Sequence, residues 1–221
     1  MANPHKYGFR FLKNRWGGDT PEIHTGFFAS GYTPNVTGAA TCNANIGDPV
    51  KLKDAGTFEL VTPGDGSTDD AAERTFGIIM GFPQVLINGA VRPNAYYPTN
   101  TVYGSNLNLQ TMVQVMPVEG CIWELDTATA SASFDTKAEF QAVIGAVCDF
   151  TYTQINSTTA NPKANPMLAL SFAESTTVRA LRVVGLGRGF EQYDLTLANV
   201  PLQVVFNQVQ ASPWRTVGSQ E

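Results

Sequence analysis

Histidine and cysteine are scarce in this chain of 221 residues: two histidines, His5 and His24, and three cysteines, Cys42, Cys121 and Cys148. The cysteines are odd in number and widely spaced, which excludes a fully paired disulfide framework and matches no zinc spacing. With so few histidines there is little from which to build a metal centre, and no metal or other cofactor is expected. Buried structural thiols in a reducing compartment are the expectation instead. Long apolar runs are also missing. No stretch approaches the roughly 18 residues of a membrane helix, and the basic opening is not followed by the apolar segment of about seven to fifteen residues that marks a secretory signal. A soluble protein with no membrane partner is expected. Charge is sparse and tilted to the acidic side, net −5, which argues against direct nucleic-acid binding. Catalytic signatures are absent too: there is no G-x-S-x-G, S-x-x-K or H-E-x-x-H. A serine triad would have to recruit His5 or His24 from an unpatterned opening, a poor place for rigid preorganisation.

Turn formers, by contrast, are plentiful, with 20 glycines and 13 prolines, and they announce many turns and few long helices. The stretch "PVKLKDAGTFEL" alternates Val50 and Leu52 with lysines, turns at Asp54-Ala55-Gly56, and alternates again through Phe58 and Leu60. That is a β-hairpin with one dry face. "FGIIMGF" (76–82) reads as a strand. "QVLI" and "AVR" flank an Asn88-Gly89 hairpin turn, and a Tyr/Asn/Pro-rich loop runs on to about residue 110. "MVQVMPVEGCIWELD" holds two strands bent at Pro117 and turned at Glu119-Gly120, while "NSTTANPKANP" reads as a loop. Thr136 and Glu139 form a T-x-x-E capping box, predicting a short helix over 136–142 that runs into a strand over 143–152. "VRALRVVGL" and "PLQVVFNQVQ" supply the last strands. The sum is an all-β fold, a compact barrel or sandwich of about eight to ten short strands with one short helix.

Residues 1–45 follow neither period, so the chain divides into an extended N-terminal arm (1–45), a β-rich domain (46–212) and a tail (213–221). The arm is odd for an acidic protein. Lys6, Arg10, Lys13 and Arg15 accompany Tyr7, Phe9, Phe11, Trp16, Phe27 and Phe28, too many large apolar groups for a free tail.

Several features invite chemistry and point elsewhere on inspection. "GLGRGF" (Gly185, Gly187, Gly189) lacks the dinucleotide spacing and lies between β segments, so a glycine-rich bend is expected. Asp65, Asp69, Asp70 and Glu73 do not have the EF-hand spacing, which leaves a solvated loop. Glu124, Asp126 and Asp149 are the carboxylates from which a glycosidase-like pair would be drawn. Asn35 and Asn156 fit the glycosylation pattern but follow no secretion signal. Trp123 alternates as a core residue, whereas Trp16 and Trp214 sit near the two ends.

The motifs taken in order resemble the capsid decoration, or cement, proteins of tailed bacteriophages. The similarity lies in Gly8-Phe9-Arg10 near the start, "IGDPV" (Ile46 to Val50), Phe76-Gly77 and "CIWELD" (Cys121 to Asp126). It continues in "IGAVCDF" (Ile144 to Phe150), "LRVVGL" (Leu181 to Leu186) and the closing "VPLQVVFNQVQ" (Val200 to Gln210). The resemblance implies a non-catalytic structural virion protein, assembled in the host cytoplasm and placed on the outer capsid surface. Its partners would be the major capsid protein and further copies of itself, a trimer before a dimer, with many weak contacts summed over a symmetric lattice. On this reading the ten arm residues Lys6, Tyr7, Phe9, Arg10, Phe11, Lys13, Arg15, Trp16, Phe27 and Phe28 are the capsid or protomer contacts. Deleting residues 2–18 should then leave a folded domain that binds poorly. The alternative readings are intramolecular packing of the arm, a head-tail joining or tail protein, and a carbohydrate-binding β-sandwich presenting "NAYYPTNTVYG".

Overall fold

The computed structural model describes residues 3, 8–15, 21–28, 44–53, 56–61, 74–87, 90–94, 96–97, 112–156, 163–173, 179–207 and 209. It is an all-β fold with one short helix. In chain order the strands are β1 (Arg10–Asn14), β2 (His24–Phe28), β3 (Ala44–Asn45), β4 (Pro49–Leu52), β5 (Thr57–Leu60), β6 (Gly77–Ile87), β7 (Ala90–Asn94) and β8 (Tyr96–Tyr97). There follow β9 (Met112–Pro117), β10 (Cys121–Asp126), helix α1 (Lys137–Ala142), β11 (Val147–Cys148), β12 (Phe150–Asn156), β13 (Lys163–Leu168), β14 (Leu181–Leu186) and β15 (Pro201–Phe206). The strands outnumber the eight to ten expected because three are two-residue pieces, too short to leave a period in the sequence, and two more, β1 and β2, lie in the opening that follows neither period.

Two sheets carry the architecture. Pairing runs β4–β5–β2–β9–β6 and returns from β6 to β4, so five strands close into a small barrel to which β7 is appended. Closure removes sheet edges, the usual liability of isolated β-sheets. The second sheet is antiparallel, in the order β1-β10-β15-β14-β11, and the β12–β13 ribbon and the two-residue β3–β8 ribbon complete the set.

Successive side chains of a strand point to opposite faces, and here parts of the barrel wall are dry on both faces. Ile79, Val115 and Leu60 point into the barrel with Phe28, Val50, Phe58, Phe76, Phe82 and Val113. Their neighbours Ile78, Met116 and Val61 point outward into a larger core with Trp123, Leu125, Leu181, Val183, Leu202 and Val204 of the second sheet. The barrel therefore packs through its wall onto the five-stranded sheet. Trp123 is fully buried, as expected of a core residue.

The hairpin β4–β5 and the capping box are as expected. The Thr136 hydroxyl accepts the Glu139 N–H while the Glu139 carboxylate accepts the Thr136 N–H, and Phe140 anchors α1 against Phe134 and Phe190. Of "GLGRGF", Gly185 and Leu186 end β14 and the bend begins only at Gly187, with a 3-10 turn at Phe190–Gln192 after Gly189. Of the strand expected over 143–152, residues 143–146 form a turn instead, and the remainder is broken at Asp149 into β11 and β12. The expected loop "NSTTANPKANP" gives up Lys163–Pro166 to β13; Pro166 is tolerated there because a two-stranded ribbon has free edges. The strand expected over 76–82 runs on to Ile87, and the turn residues Asn88 and Gly89 lie outside the described residues. β9 and β10 are consecutive yet do not pair, because the corner at Pro117–Gly120 carries the chain from barrel to sheet.

The largest correction concerns residues 1–45. Their described parts are not an extended arm: β1 is a strand of the five-stranded sheet and β2 is a stave of the barrel. Their pattern is hidden for physical reasons. β1 carries a bulge between Phe11 and Lys13, which shifts the alternation by one residue. On β2 the inward position between His24 and Phe28 is Gly26. A Cβ there would meet the Phe58 ring at 2.4 Å, so glycine stands where a periodic reading expects a large apolar residue.

Candidate functional site

One charged residue of the opening, Arg10, reaches across to the outer face of β10. Trp123 and Leu125 occupy the core face of that strand, which turns Glu124 and Asp126 the other way, side by side. Both carboxylates are 1% exposed. Arg10, across the β1–β10 ladder opposite Glu124, lays its guanidinium between them. Nη2 donates to Glu124 Oε1 at 3.1 Å and also to Asp126 Oδ1, and Nε adds a 3.3 Å contact to Glu124. The remaining Glu124 oxygen accepts the Arg188 N–H at 2.7 Å. A guanidinium presents several N–H donors in a rigid fork, which suits it to bridging two carboxylates where a lysine would reach one.

Aromatic packing locks the same segment. Phe9 packs between Phe150, edge to face, and Phe206, tilted, at centroid distances of 5.7 and 4.9 Å, and Phe11 lies edge-on to Trp123 at 5.7 Å. Gly8 adopts φ +59 with its Cα so close to Gly47 that a Cβ would fall 2.7 Å from the Gly47 carbonyl oxygen; only glycine accepts both conditions. Further back, the Asn3 amide donates to the carbonyls of Asp194 and Ala198 and accepts the Asp194 N–H. Asn3 and residues 8–15 are thus tied to the rest of the fold by three kinds of anchor: an amide, an aromatic and an ion cluster.

Of the ten arm residues expected to make external contacts, Phe9 and Phe28 are corrected to core positions, at 3% and 2% exposure. Arg10 is committed to Glu124 and Asp126, and Phe11 is half-buried against Trp123. Lys13, Arg15 and Phe27 face outward. Lys6, Tyr7 and Trp16 lie outside the described residues. Deleting residues 2–18 would accordingly remove core and ion-pair anchors, so the clean separation of folding from binding expected of that deletion does not hold.

The other sequence candidates sort similarly. Glu124 and Asp126 share one guanidinium in a closed site rather than facing each other across a cleft as glycosidase acids do. Asp149 is held apart from them by Arg179 and by the Ala180 N–H. Cys121 and Cys148 are buried, and burial pushes their thiols up to about 11 and about 12, with the nearby charges of Glu119 and Asp149 adding to the shift. Both are poor nucleophiles and poor metal ligands in that state. No group of three or more His, Cys, Asp or Glu able to hold a metal occurs among the described residues, and no described helix is long and apolar enough to cross a membrane. His5, Cys42, Asn35, Trp214, the acidic loop Asp65–Glu73 and most of "NAYYPTNTVYG" lie outside the described residues.

One buried polar group has no counterpart in the sequence reading. Asp48, within "IGDPV", is 1% exposed; its Oδ2 accepts the Asn45 N–H at 2.8 Å, while Oδ1 meets no partner. Burial holds this carboxyl well above the ordinary carboxylate range, opposed by the Asn45 hydrogen bond. Asp-Pro within a strand start reads as turn chemistry, and nothing in it signals burial.

Comparison of the chain with protein-family models, with curated proteins and with solved structures gave no match.

Proposed function

We propose that this chain is a structural virion protein that sits on the outer surface of a tailed-phage capsid and ties neighbouring subunits together. The observation that carries the reading is where the resembling motifs fall. Gly8-Phe9-Arg10, "IGDPV", Phe76-Gly77, "CIWELD" and "LRVVGL" supply the anchors of the opening, the tight Gly8–Gly47 approach, the barrel wall and the sheet. The likeness is therefore one of framework, with the closed charge cluster serving as a fastener. The outward residues Lys13, Arg15 and Phe27, joined by Ile23, are the contact set this reading favours. Apolar anchors supply interface energy and basic rims steer encounter with an acidic surface.

The first test is the copy number of the chain against the major shell subunit in purified particles, by quantitative mass spectrometry. Stoichiometry comparable with the shell subunit supports a tiling cement protein. A single ring's worth of copies replaces it with a head-tail or tail component, and absence from particles overturns the virion reading. Lys13→Glu with Phe27→Ser should weaken attachment to bare capsids while leaving the far-ultraviolet circular dichroism unchanged.

A further inference from the structure

We propose that the Asp48–Pro49 peptide bond is a self-cleavage site, at which the Asp48 carboxyl attacks its own main-chain carbonyl and releases Pro49 as a new chain start. The inference rests on the corner between β3 and β4 and stands whatever the chain assembles with.

Four observations meet at this bond. First, Asp48 is 1% exposed, and only one of its carboxyl oxygens is tied: Oδ2 accepts the Asn45 N–H at 2.8 Å, while Oδ1 is free. Among the described residues only this oxygen and Trp123 Nε1 are buried side-chain polar atoms without a hydrogen bond, and such an exception calls for an explanation. Second, the scissile carbonyl is already polarised. Its oxygen accepts the Ile79 N–H at 2.9 Å, so a fixed donor faces the atom on which negative charge develops during attack. Third, the next residue is proline. Its nitrogen carries no N–H, so it leaves as a secondary amine and takes no ladder hydrogen bond with it. Fourth, the corner is held from both sides. The Asp48 N–H donates to the Asn45 carbonyl at 3.2 Å, the Gly47 N–H donates to the Ile79 carbonyl at 2.8 Å, and Pro49 lies opposite Ile78. Nucleophile and target belong to one residue of that fixed corner, so attack closes a small ring with no encounter to wait for.

In the step, Oδ1 bonds to the Asp48 carbonyl carbon, the carboxyl proton passes to the Pro49 nitrogen, and the C–N bond breaks. The products are a cyclic anhydride on Asp48 and a free amine on Pro49. One water then opens the anhydride, leaving Asp48 with a terminal and a side-chain carboxyl; nothing is oxidised or reduced. The step uses the protonated carboxyl, and the fold favours that form. Burial, the largest cause, keeps the proton on Asp48 above the ordinary carboxylate range, against the Asn45 hydrogen bond. The described groups bonded or paired to this corner carry no charge: Asn45 of β3, Phe9 of the opening through Gly47, and Ile78 and Ile79 of β6. Farther along its own strand, Lys51 lies opposite Glu59, and Lys53 pairs with Glu59 at 3.2 Å. Cleavage leaves both pieces seated. Residues 1–48 keep the β1–β10 and β2–β9 ladders, and residues 49–221 keep β4 against β5 and β6. The product is a nicked protein of two chains that part only on unfolding.

The test incubates the full-length protein folded at pH 5 and, in parallel, unfolded in urea at the same pH, and follows both by denaturing mass spectrometry. Fragments 1–48 and 49–221 should accumulate, with Pro49 as the new amino terminus. At that pH an ordinary aspartate is protonated in roughly one molecule in fifteen, so the folded chain, whose Asp48 keeps its proton, is expected to cleave about tenfold faster than the unfolded one. Asp48→Asn keeps the shape and an acceptor for the Asn45 N–H, and it should abolish the cut. A folded wild-type chain that stays intact, or that cleaves no faster than the unfolded chain, overturns the proposal, and this comparison depends on no variant folding. The same fragments from Asp48→Asn would mean cleavage by another agent and overturn it equally.

Discussion

Arg10 is the residue on which the structure makes its sharpest demand. Replacing it by methionine keeps much of the apolar stem but leaves Glu124 and Asp126, each 1% exposed, without the cation between them. Removing one partner of a buried ion pair typically costs about 3–5 kcal/mol, because the surviving charge stays desolvated. Arg10 is itself 20% exposed, so water can partly fill its place, and Arg188 approaches Glu124 at 3.9 Å. The lower end, about 3 kcal/mol, is therefore expected. For a chain of this size that is a loss of roughly 6–12 °C in Tm. The assay is urea unfolding, since an ionic denaturant would screen the effect under study, with Tm from calorimetry as a check. Adding Glu124→Gln and Asp126→Asn to Arg10→Met should restore most of the lost stability. Neutral amides tolerate the site, and the amide carbonyl introduced at position 124 can still accept the Arg188 N–H. Two results would refute the reasoning: a loss below about 1 kcal/mol for the single variant, in the range of an exposed pair, or no recovery in the triple variant.

Asp48 makes a pH prediction with a definite sign. Its folded-state pKa is raised by burial above the ordinary 3.8, so the native state keeps a proton that the unfolded chain loses. The stability this group contributes is whole below that ordinary value and declines as pH rises toward the folded-state pKa; Asp48→Asn should flatten the decline, and parallel urea midpoints between pH 4 and 8 would sink the idea. Gly26→Ala drives a Cβ to 2.4 Å from the Phe58 ring, an overpacking expected to cost about 1–3 kcal/mol. Phe58→Leu in the same chain should recover part of it, whereas additive losses would show that the ring is not the obstacle. Cys121 and Cys148, with thiols at about 11 and about 12, should resist an alkylating reagent at pH 8 in the native protein and react on unfolding; prompt native labelling of either, located by peptide mapping, would contradict their burial.

What was legible in the sequence depended on whether one local rule governed a segment. The β4–β5 hairpin alternates cleanly because one barrel face is dry and the other is half-exposed. The capping box around Thr136 and Glu139 is a reciprocal hydrogen-bond pattern written in four consecutive residues. β6 and β9 are recognisable as strands although both faces are buried, because β-branched and aromatic runs between glycines admit little else. The opening is opaque for the opposite reason. β1 and β2 are each governed by partners far away in the chain: a bulge re-aims Lys13, and a phenyl ring from β5 occupies the space at Gly26. Barrel closure through β4–β6 and the corner between β9 and β10 are likewise decisions among distant strands, which no window of ten residues contains.

The candidate site illustrates the same division. The basic and aromatic composition of the opening is plain, and it suggests a surface seeking a partner. The structure supplies much of that partner from within: Phe9 finds Phe150 and Phe206, and Arg10 finds Glu124 and Asp126. Composition identifies groups that require burial or pairing, but the same side chains satisfy an intramolecular groove and an intermolecular one equally well, because the forces are the same. What separates the two is which residues remain outward after the internal contacts are made. Among the described residues of the opening those are Lys13, Arg15, Glu22, Ile23, Thr25 and Phe27, a mixed basic, acidic, polar and apolar set. Exposure after folding, and not composition, therefore nominates the contact residues that Lys13→Glu with Phe27→Ser puts to the test.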